Sequence, residues 1–465
     1  MSPTPFALLV ILAGVLSSSD GMLRTLMLCC LFGAAAAIAL PALGGAPITP
    51  AVMLLPFLMW RAARDRAPTT WLGHVAYPQA GFWLLLLVLW GVLSAYFLPR
   101  LFIGETMLYA TDRASMTGVR LLSLRPLSTN FTQSAYAVAG LCTFVAVRAL
   151  LEPDGRLLRF RDAVLLLASV DCAAALLNLA ELRLGLPSLL ALVRNAGYAI
   201  LVGGDVGGLQ RISGTFAEAS AFAGFSLPLL AFSASLWRDG VRPVYTGALS
   251  LGLLVLLLIS TSTTAYAGLC TYGGCITLAA FMRAVRRGDV PHIGTLTVLL
   301  WLLAVAACII LLARPDIASR LADFFGVTLV RKLESASGIE RGSWNRQAWI
   351  NFVDAYGVGV GLGSARASSY LLVLLSNIGV IGLLLFIAFV GRLLGAPLRA
   401  VAPDDAPVVK AARRSVLAAL IAATVSAVVF DLGPAFYAFA AAASAVPLGR
   451  AAAQTSSIGA RHEMA

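Results

Sequence analysis

Two short runs hold the residues best suited to chemistry. The first is Arg211-Ile-Ser-Gly-Thr-Phe216-Ala-Glu218-Ala-Ser220. Gly214 permits a turn, Thr215 is placed to cap a following helix, and Glu218 then falls in the first helical turn, close to Arg211. A carboxylate beside a guanidinium can serve as a base next to a bound anion. It can equally do no more than favour the positive end of the helix. The second run is Arg341-Gly-Ser-Trp344-Asn-Arg346-Gln-Ala-Trp349, continuing to Gly359-Val-Gly361-Leu-Gly363. Residues 341–354 read as an amphipathic helix at a membrane interface, with Trp344 and Trp349 at headgroup depth. Arg346 lies on a face near that of Arg341 but not identical to it. The glycine run lets the backbone approach a neighbour or a ligand closely. No strand–loop–helix unit surrounds it, so it makes a weak phosphate loop, and neither a nucleotide nor a nucleic-acid site is expected.

The elements that must position these runs are membrane helices. Of 465 residues, 60% are hydrophobic and 12% charged, and the mean hydropathy is +0.89. An ordinary soluble domain is about half apolar and a quarter charged. The apolar residues come in blocks of about 20, the length that crosses a hydrocarbon core as a helix, whereas a barrel would alternate over about ten residues. The expected fold is all-α: one polytopic membrane domain over 1–465, a bundle of about 12–13 transmembrane helices. Spans are predicted near 5–19, 25–43, 47–61, 81–97, 131–150, 162–181, 216–237, 244–261, 264–283, 293–312, 367–391, 415–430 and 433–448. Basic loops at 61–66, 148–161, 238–242, 283–287 and 392–414 thread to one side, the cytoplasmic side by the positive-inside bias. Segments near 98–130, 182–215 and 313–366 then face outward, each mixing apolar and polar residues as short surface helices do. The last is a large loop subdomain carrying interfacial helices.

The seven cysteines sit inside apolar spans and imply neither a disulfide frame nor a metal site. His74, His292 and His462 fall on cytoplasmic segments or the tail. No outward HExxH, DxD or carboxylate pair is present, so neither a metal nor another cofactor is expected at the outward site.

The outward segments are nonetheless rich in cations, among them Arg100, Arg125, Arg194, Arg211, Arg331, Lys332, Arg341, Arg346 and Arg366. The positive-inside bias normally depletes such loops, so something retains these residues. Arginine offers a planar fork of donors matched to phosphate and carboxylate, which points to an anionic ligand such as a lipid phosphate or pyrophosphate. Coding bias explains the preference for Arg in a chain with two lysines, but not the number facing outward.

Taken together, the motifs resemble the O-antigen polymerase and O-antigen ligase superfamily of bacterial envelope glycosyltransferases. That family has many spans and a large periplasmic loop late in the chain, with an arginine about 18 residues before Gly-x-Gly-x-Gly and a helix bearing Gly-x-x-Gly. Arg341, Gly359-Val-Gly361-Leu-Gly363 and Gly379-Val-Ile-Gly382 occupy those places. Arg211 to Phe216 matches the earlier Arg-x-x-Gly-Thr-Phe, and Ser260-Thr-Ser262-Thr-Thr264 is similar to the motif between the next two helices. The resemblance covers about 205–390. It departs at Ser368-Ser369, where the ligase branch has a histidine followed by a small polar residue. That departure favours the polymerase branch.

The resemblance implies a bacterial inner-membrane enzyme whose active site faces the periplasm. It would join oligosaccharide units carried on polyprenyl pyrophosphate, making O-antigen or exopolysaccharide without a metal ion. Its partners would be that lipid-linked oligosaccharide and membrane lipids, with a chain-length regulator as a further candidate. Glu218 is then the catalytic base, with Arg211 and Arg341 beside it. Arg346, Lys332, Arg331, Arg366, Gly359, Gly361 and Gly363 would bind substrate. Two alternatives stay open: a ligase moving finished glycan to a lipid or protein, and a transporter or flippase of lipid-linked oligosaccharide. Against the last, few ionisable residues lie within the spans beyond Asp171 and, at a helix end, Asp431.

Overall fold

A computed structural model describes residues 2–40, 46–111, 119–152, 155–196, 205–206, 209–287 and 336–445. The predicted span 293–312, Arg331, Lys332 and the stretch 313–335 lie outside the described residues. Within them the chain is all-α, with 14 helices. These are α1 (Pro5–Leu16), α2 (Ser19–Cys30), α3 (Pro50–Asp65), α4 (Pro68–Val75), α5 (Ala80–Leu101), α6 (Ser128–Leu150) and α7 (Arg156–Leu184). They continue as α8 (Ala219–Arg238), α9 (Pro243–Ile259), α10 (Thr263–Arg287), α11 (Ala336–Asp354), α12 (Tyr370–Gly395), α13 (Ala406–Ser426) and α14 (Gly433–Ala443).

Six of these, α5, α6, α7, α8, α10 and α12, are long and apolar enough to cross a membrane. α1 and α9 are apolar but shorter. The protein is therefore a helical membrane bundle, although its spanning helices are fewer among the described residues than the thirteen predicted. An 11-residue helix such as α14 rises only about 17 Å, short of a hydrocarbon core of about 30 Å. The outer surface carries bare leucines and isoleucines, among them Leu93, Leu251, Leu384 and Ile387, as a lipid-facing wall does. Inside, Phe160, Phe232 and Phe439 interlock edge to face or tilted at α8, the most enclosed of the spanning helices described, and Phe144 meets Phe389 edge to face between α6 and α12.

The predicted span 25–43 is not one helix. α2 stops at Cys30, and the chain passes through the buried, non-helical Ala34–Ala37 into a short strand. Ala36 N donates to Asn195 Oδ1 at 2.8 Å, Ala196 N to Ala34 O at 3.0 Å and Ala37 N to Ile48 O at 2.8 Å. Hydropathy cannot tell this arrangement from a helix: irregular backbone survives at such depth when protein, rather than lipid, satisfies it. A small antiparallel sheet, β1 (Ser2–Pro3), β2 (Ile38–Leu40) and β3 (Ala46–Ile48), closes this end. The outward segment near 98–130 forms a hairpin, β4 (Met107–Thr111) with β5 (Val119–Ser123), in place of the expected surface helix. The apolar alternation across Leu108, Ala110 and Leu122 buries one face against the loop after α11. A last pair, β6 (Asp205–Val206) and β7 (Leu209–Gln210), lies in the second outward segment.

Four of the five basic loops predicted to share a side, 61–66, 148–161, 238–242 and 392–414, are joined by ion pairs. Arg156 pairs with Asp65 at 3.1 Å and with Asp20 at 3.6 Å, Arg242 with Asp162 at 3.3 Å and Lys410 with Asp239 at 2.8 Å. These ends of α2, α3, α7, α8, α9 and α13 form one charged face. The 20-residue α8 carries the chain from Glu218, just before its first residue, to Arg238 at that face, a rise of about 30 Å. The two candidate runs are thus at the other end of the bundle.

Candidate functional site

The turn before α8 is fixed from three sides. Ser213 N and Gly214 N donate to the Oδ1 of Asn178 on α7 at 2.9 and 3.1 Å. Arg194 donates to Gly214 O, and Thr215 Oγ1 donates to Leu31 O at 2.6 Å. Thr215 therefore ties the turn to the end of α2 and does not cap a helix, which begins four residues later at Ala219. Arg194, one of the outward cations, is spent on this scaffold.

Glu218 takes the N-cap position of α8 in extended backbone (φ −152°), yet its side chain caps no amide. One carboxylate oxygen accepts from Ser220 Oγ, and the other faces Arg341. The Arg341 Nη2 to Glu218 Oε2 separation is 4.0 Å, with each side chain about one-third exposed (34% and 33%). Arg211 is coupled electrostatically to both. Burial pulls its ionisation down, Glu218 opposes that, and Arg341 adds to it. Its Nε is buried without a hydrogen-bond partner among the described residues.

Arg341 reaches this point from α11, whose inner face carries Trp344, Ala348 and Asn351, all buried. Gln347 Nε2 donates to Met107 O at 2.6 Å, and Thr106 Oγ1 to Asp354 Oδ2 at 2.6 Å, binding the helix to the hairpin. The expected helix 341–354 is present and starts earlier, at Ala336. Arg346 falls on its exposed face, with Trp349 and Ile350, so the structure does not bring it to Glu218.

Arg366 joins the cluster instead. Its guanidinium lies over Trp344 at 4.7 Å from the ring centroid, and its backbone N donates to Tyr109 O at 2.9 Å. Burial lowers its ionisation, Glu340 and then Glu218 restore it, and Arg341 works against it. Arg341 thus faces Glu218 directly, and Arg211 and Arg366 are coupled to it electrostatically, with Glu340 coupled to Arg366. The sequence reading passed over Glu340, although its place directly before Arg341 on a helix was a signal.

Gly359, Gly361 and Gly363 meet protein. All three have positive φ (+88°, +99° and +83°), and an added Cβ would lie 2.7 Å from Asn377 O, 2.6 Å from Pro99 Cδ and 2.5 Å from Thr129 O, respectively. The loop is wedged between α5, α6 and α12, and α12 breaks to receive it. Gly379 turns to φ +64° inside that helix, Val380 N donates to Gly357 O at 3.0 Å, and Trp90 Nε1 donates to Ile378 O at 2.8 Å. The close approach read from the glycines is to neighbouring helices, and what it achieves is to seat Arg366.

Ser368, at the place of the ligase histidine, is buried, and its N donates to Asn345 Oδ1 at 2.7 Å.

No protein-family model matches the chain, and no curated protein does.

Chemically, the cluster offers three permanent cations against two carboxylates, partly out of water. A polyanion entering it would be held by charge-assisted bonds of the bidentate kind. A carboxylate already among those cations is placed to take a proton from a neighbouring hydroxyl.

Proposed function

We propose that the protein polymerises lipid-linked oligosaccharide repeat units at the periplasmic face of a bacterial inner membrane. The observation that carries this reading is the convergence of Arg211, Arg341 and Arg366 on Glu218, at the end of the bundle opposite the charged loop network. The donor is a growing glycan on polyprenyl pyrophosphate, and the acceptor is a sugar hydroxyl of the next lipid-linked unit. The hydroxyl oxygen bonds to the donor's anomeric carbon as the bond from that carbon to the pyrophosphate oxygen breaks. The electron pair leaves with the lipid pyrophosphate, and the hydroxyl proton goes to Glu218. The arginines stabilise the charge that develops on the leaving group, the role fixed cations fill most effectively in a site shielded from water.

The nearest alternative, transfer of a finished glycan to a different acceptor, is disfavoured by Ser368, which supplies no imidazole. Purified protein in proteoliposomes with lipid-linked repeat units separates the possibilities. The expected product is a ladder of polymer. A conjugate formed only when a lipid or protein acceptor is added would make it a ligase, and unmodified substrate carried across the bilayer would make it a flippase.

A further inference from the structure

A cavity is lined in part by Arg366. It is walled by Tyr109 of the hairpin, Thr129 and Gln133 of α6, Asn377 of α12, and the chain at Val428–Phe430. Its volume is about 50 Å³, and it opens to solvent. That volume takes a few water-sized groups, hence the hydroxyls of one sugar ring but not a whole repeat unit.

The polar groups of this wall divide into two kinds. Some are consumed by the fold. Asn377 Nδ2 donates to Ala365 O and Val373 O, both at 2.9 Å, and its Oδ1 accepts from Ala365 N at 3.2 Å. Neighbouring Asn130 donates to Leu362 O and Ser364 Oγ at 2.8 Å each. Others are not consumed. Thr129 Oγ1 and Gln133 Oε1 are buried atoms with no hydrogen-bond partner among the described residues. They lie one helical turn apart on the same face of α6. Buried polar atoms are nearly always paired, so two orphans on one wall of one cavity call for a ligand that donates to them.

We propose that this cavity is the acceptor-sugar subsite, with Gln133 Oε1 and Thr129 Oγ1 accepting hydrogen bonds from hydroxyls of a neutral sugar ring. The assignment rests on the polymerase reading for the identity of the ligand. The lining contains one charge, Arg366, whereas a sugar bearing pyrophosphate needs the further cations Arg211 and Arg341, grouped around Glu218. An uncharged acceptor end fits the cavity, and the donor fits the cluster. Arg366 lines the cavity and is coupled electrostatically to Glu218 and Arg341, so an acceptor hydroxyl held here lies beside the field of the cluster. A site built to accept hydroxyl donors rejects analogues lacking them, which makes Gln133 and Thr129 specificity-determining residues.

The test is saturation-transfer NMR on the full-length protein in lipid nanodiscs. The probes are methyl glycosides of glucose, galactose and N-acetylglucosamine, their deoxy analogues, and glucose 1-phosphate. At least one methyl glycoside is expected to receive saturation, and a deoxy analogue of it to receive at least fivefold less. Gln133→Leu and Thr129→Val should each reduce transfer at least fivefold, and Gln133→Met, similar in length but without an acceptor oxygen, should do the same while keeping the melting temperature. Absence of transfer to every probe, or equal transfer from wild type and Gln133→Met, overturns the subsite and leaves water as the occupant. Stronger Gln133-dependent transfer to glucose 1-phosphate than to any methyl glycoside overturns the acceptor assignment in favour of the donor. The two readings fail separately. Gln133-dependent transfer without polymer in proteoliposomes removes the polymerase and keeps a sugar site, and polymer without such transfer removes only the subsite.

Discussion

Arg341 Nη2 stands 4.0 Å from Glu218 Oε2, beyond hydrogen-bond length but within ion-pair reach, and the two residues, on α11 and at the start of α8, lie more than a hundred positions apart in the chain. Each side chain is about one-third exposed, so screening keeps the pair's own contribution small, of the order of a surface ion pair at about 0–1 kcal/mol. Such a pair is an inefficient way to hold two helices together. It does leave a carboxylate accessible beside a cation that can turn to an incoming anion.

Glu218→Gln tests the base directly. The amide keeps the shape and the contact with Ser220 but cannot take a proton, so polymer formation should fall by about 10² to 10⁴. Were Glu218 there only to favour the N-terminal end of α8, the cost would be about 0.3–1 kcal/mol of stability with activity kept. Polymer yield and thermal melting, measured together on one preparation, separate the two. Normal polymer would leave leaving-group stabilisation as the whole mechanism.

Arg341→Lys keeps the charge and removes the fork. Because lysine is a point charge, polymer formation should drop at least about tenfold. Arg346→Lys, on the exposed face of the same helix, should stay within about twofold. Similar rates for both variants would show that Arg341 has no special contact with the pyrophosphate.

Gly379→Ala should destabilise the fold severely. Its Cβ would sit 2.3 Å from backbone atoms of Val358, at a φ of +64° that L residues rarely adopt. The loss should be about 2–4 kcal/mol, combining strain with the displaced loop. Gly342→Ala, mid-helix on α11 with nothing within 4 Å, is the control, and should stabilise by up to about 1 kcal/mol. Denaturation midpoints in a common detergent check both.

Opposite ends of the bundle should face opposite compartments. A cysteine at Ser343 on α11 should react with an impermeant thiol reagent in intact spheroplasts, and one at Asp404 in the loop before α13 should react only after lysis. The reverse pattern would place the arginine cluster on the cytoplasmic side and remove the periplasmic reading.

Much of this was legible in the residues, for reasons that also explain the failures. The helix bearing Arg341 was readable because its inner positions recur at Trp344, Ala348 and Asn351, a helical period with local causes. Ala34–Ala37 was misread because hydropathy reports an apolar environment, and a buried crossing satisfied by Asn195 has the same composition as a helix. Thr215 looked like a cap for want of any sign that Leu31 O would claim its hydroxyl. Arg346 and Arg366 were given equal weight, yet only the loop wedge brings one of them to Glu218. Thr129 and Gln133 carry no motif at all. Their meaning arises when α6, the hairpin and the chain near Phe430 close around one space, and no local pattern encodes that.

The break in α12 has a consequence for where this protein works best. With Gly357 to Gly363 keyed into a spanning helix and Trp90 bonded across the gap, the loop that carries Arg366 cannot ride up or down on its own. The height of the cation cluster above the hydrocarbon is therefore set by the length of the spanning helices, whereas the height of a lipid's pyrophosphate is set by the bilayer. The two planes coincide only in a membrane of matching thickness. Mismatch between helix and bilayer costs fractions of a kcal/mol per Å, enough, on the proposed polymerase reading, for acyl-chain length to act as a tuning dial on polymer yield.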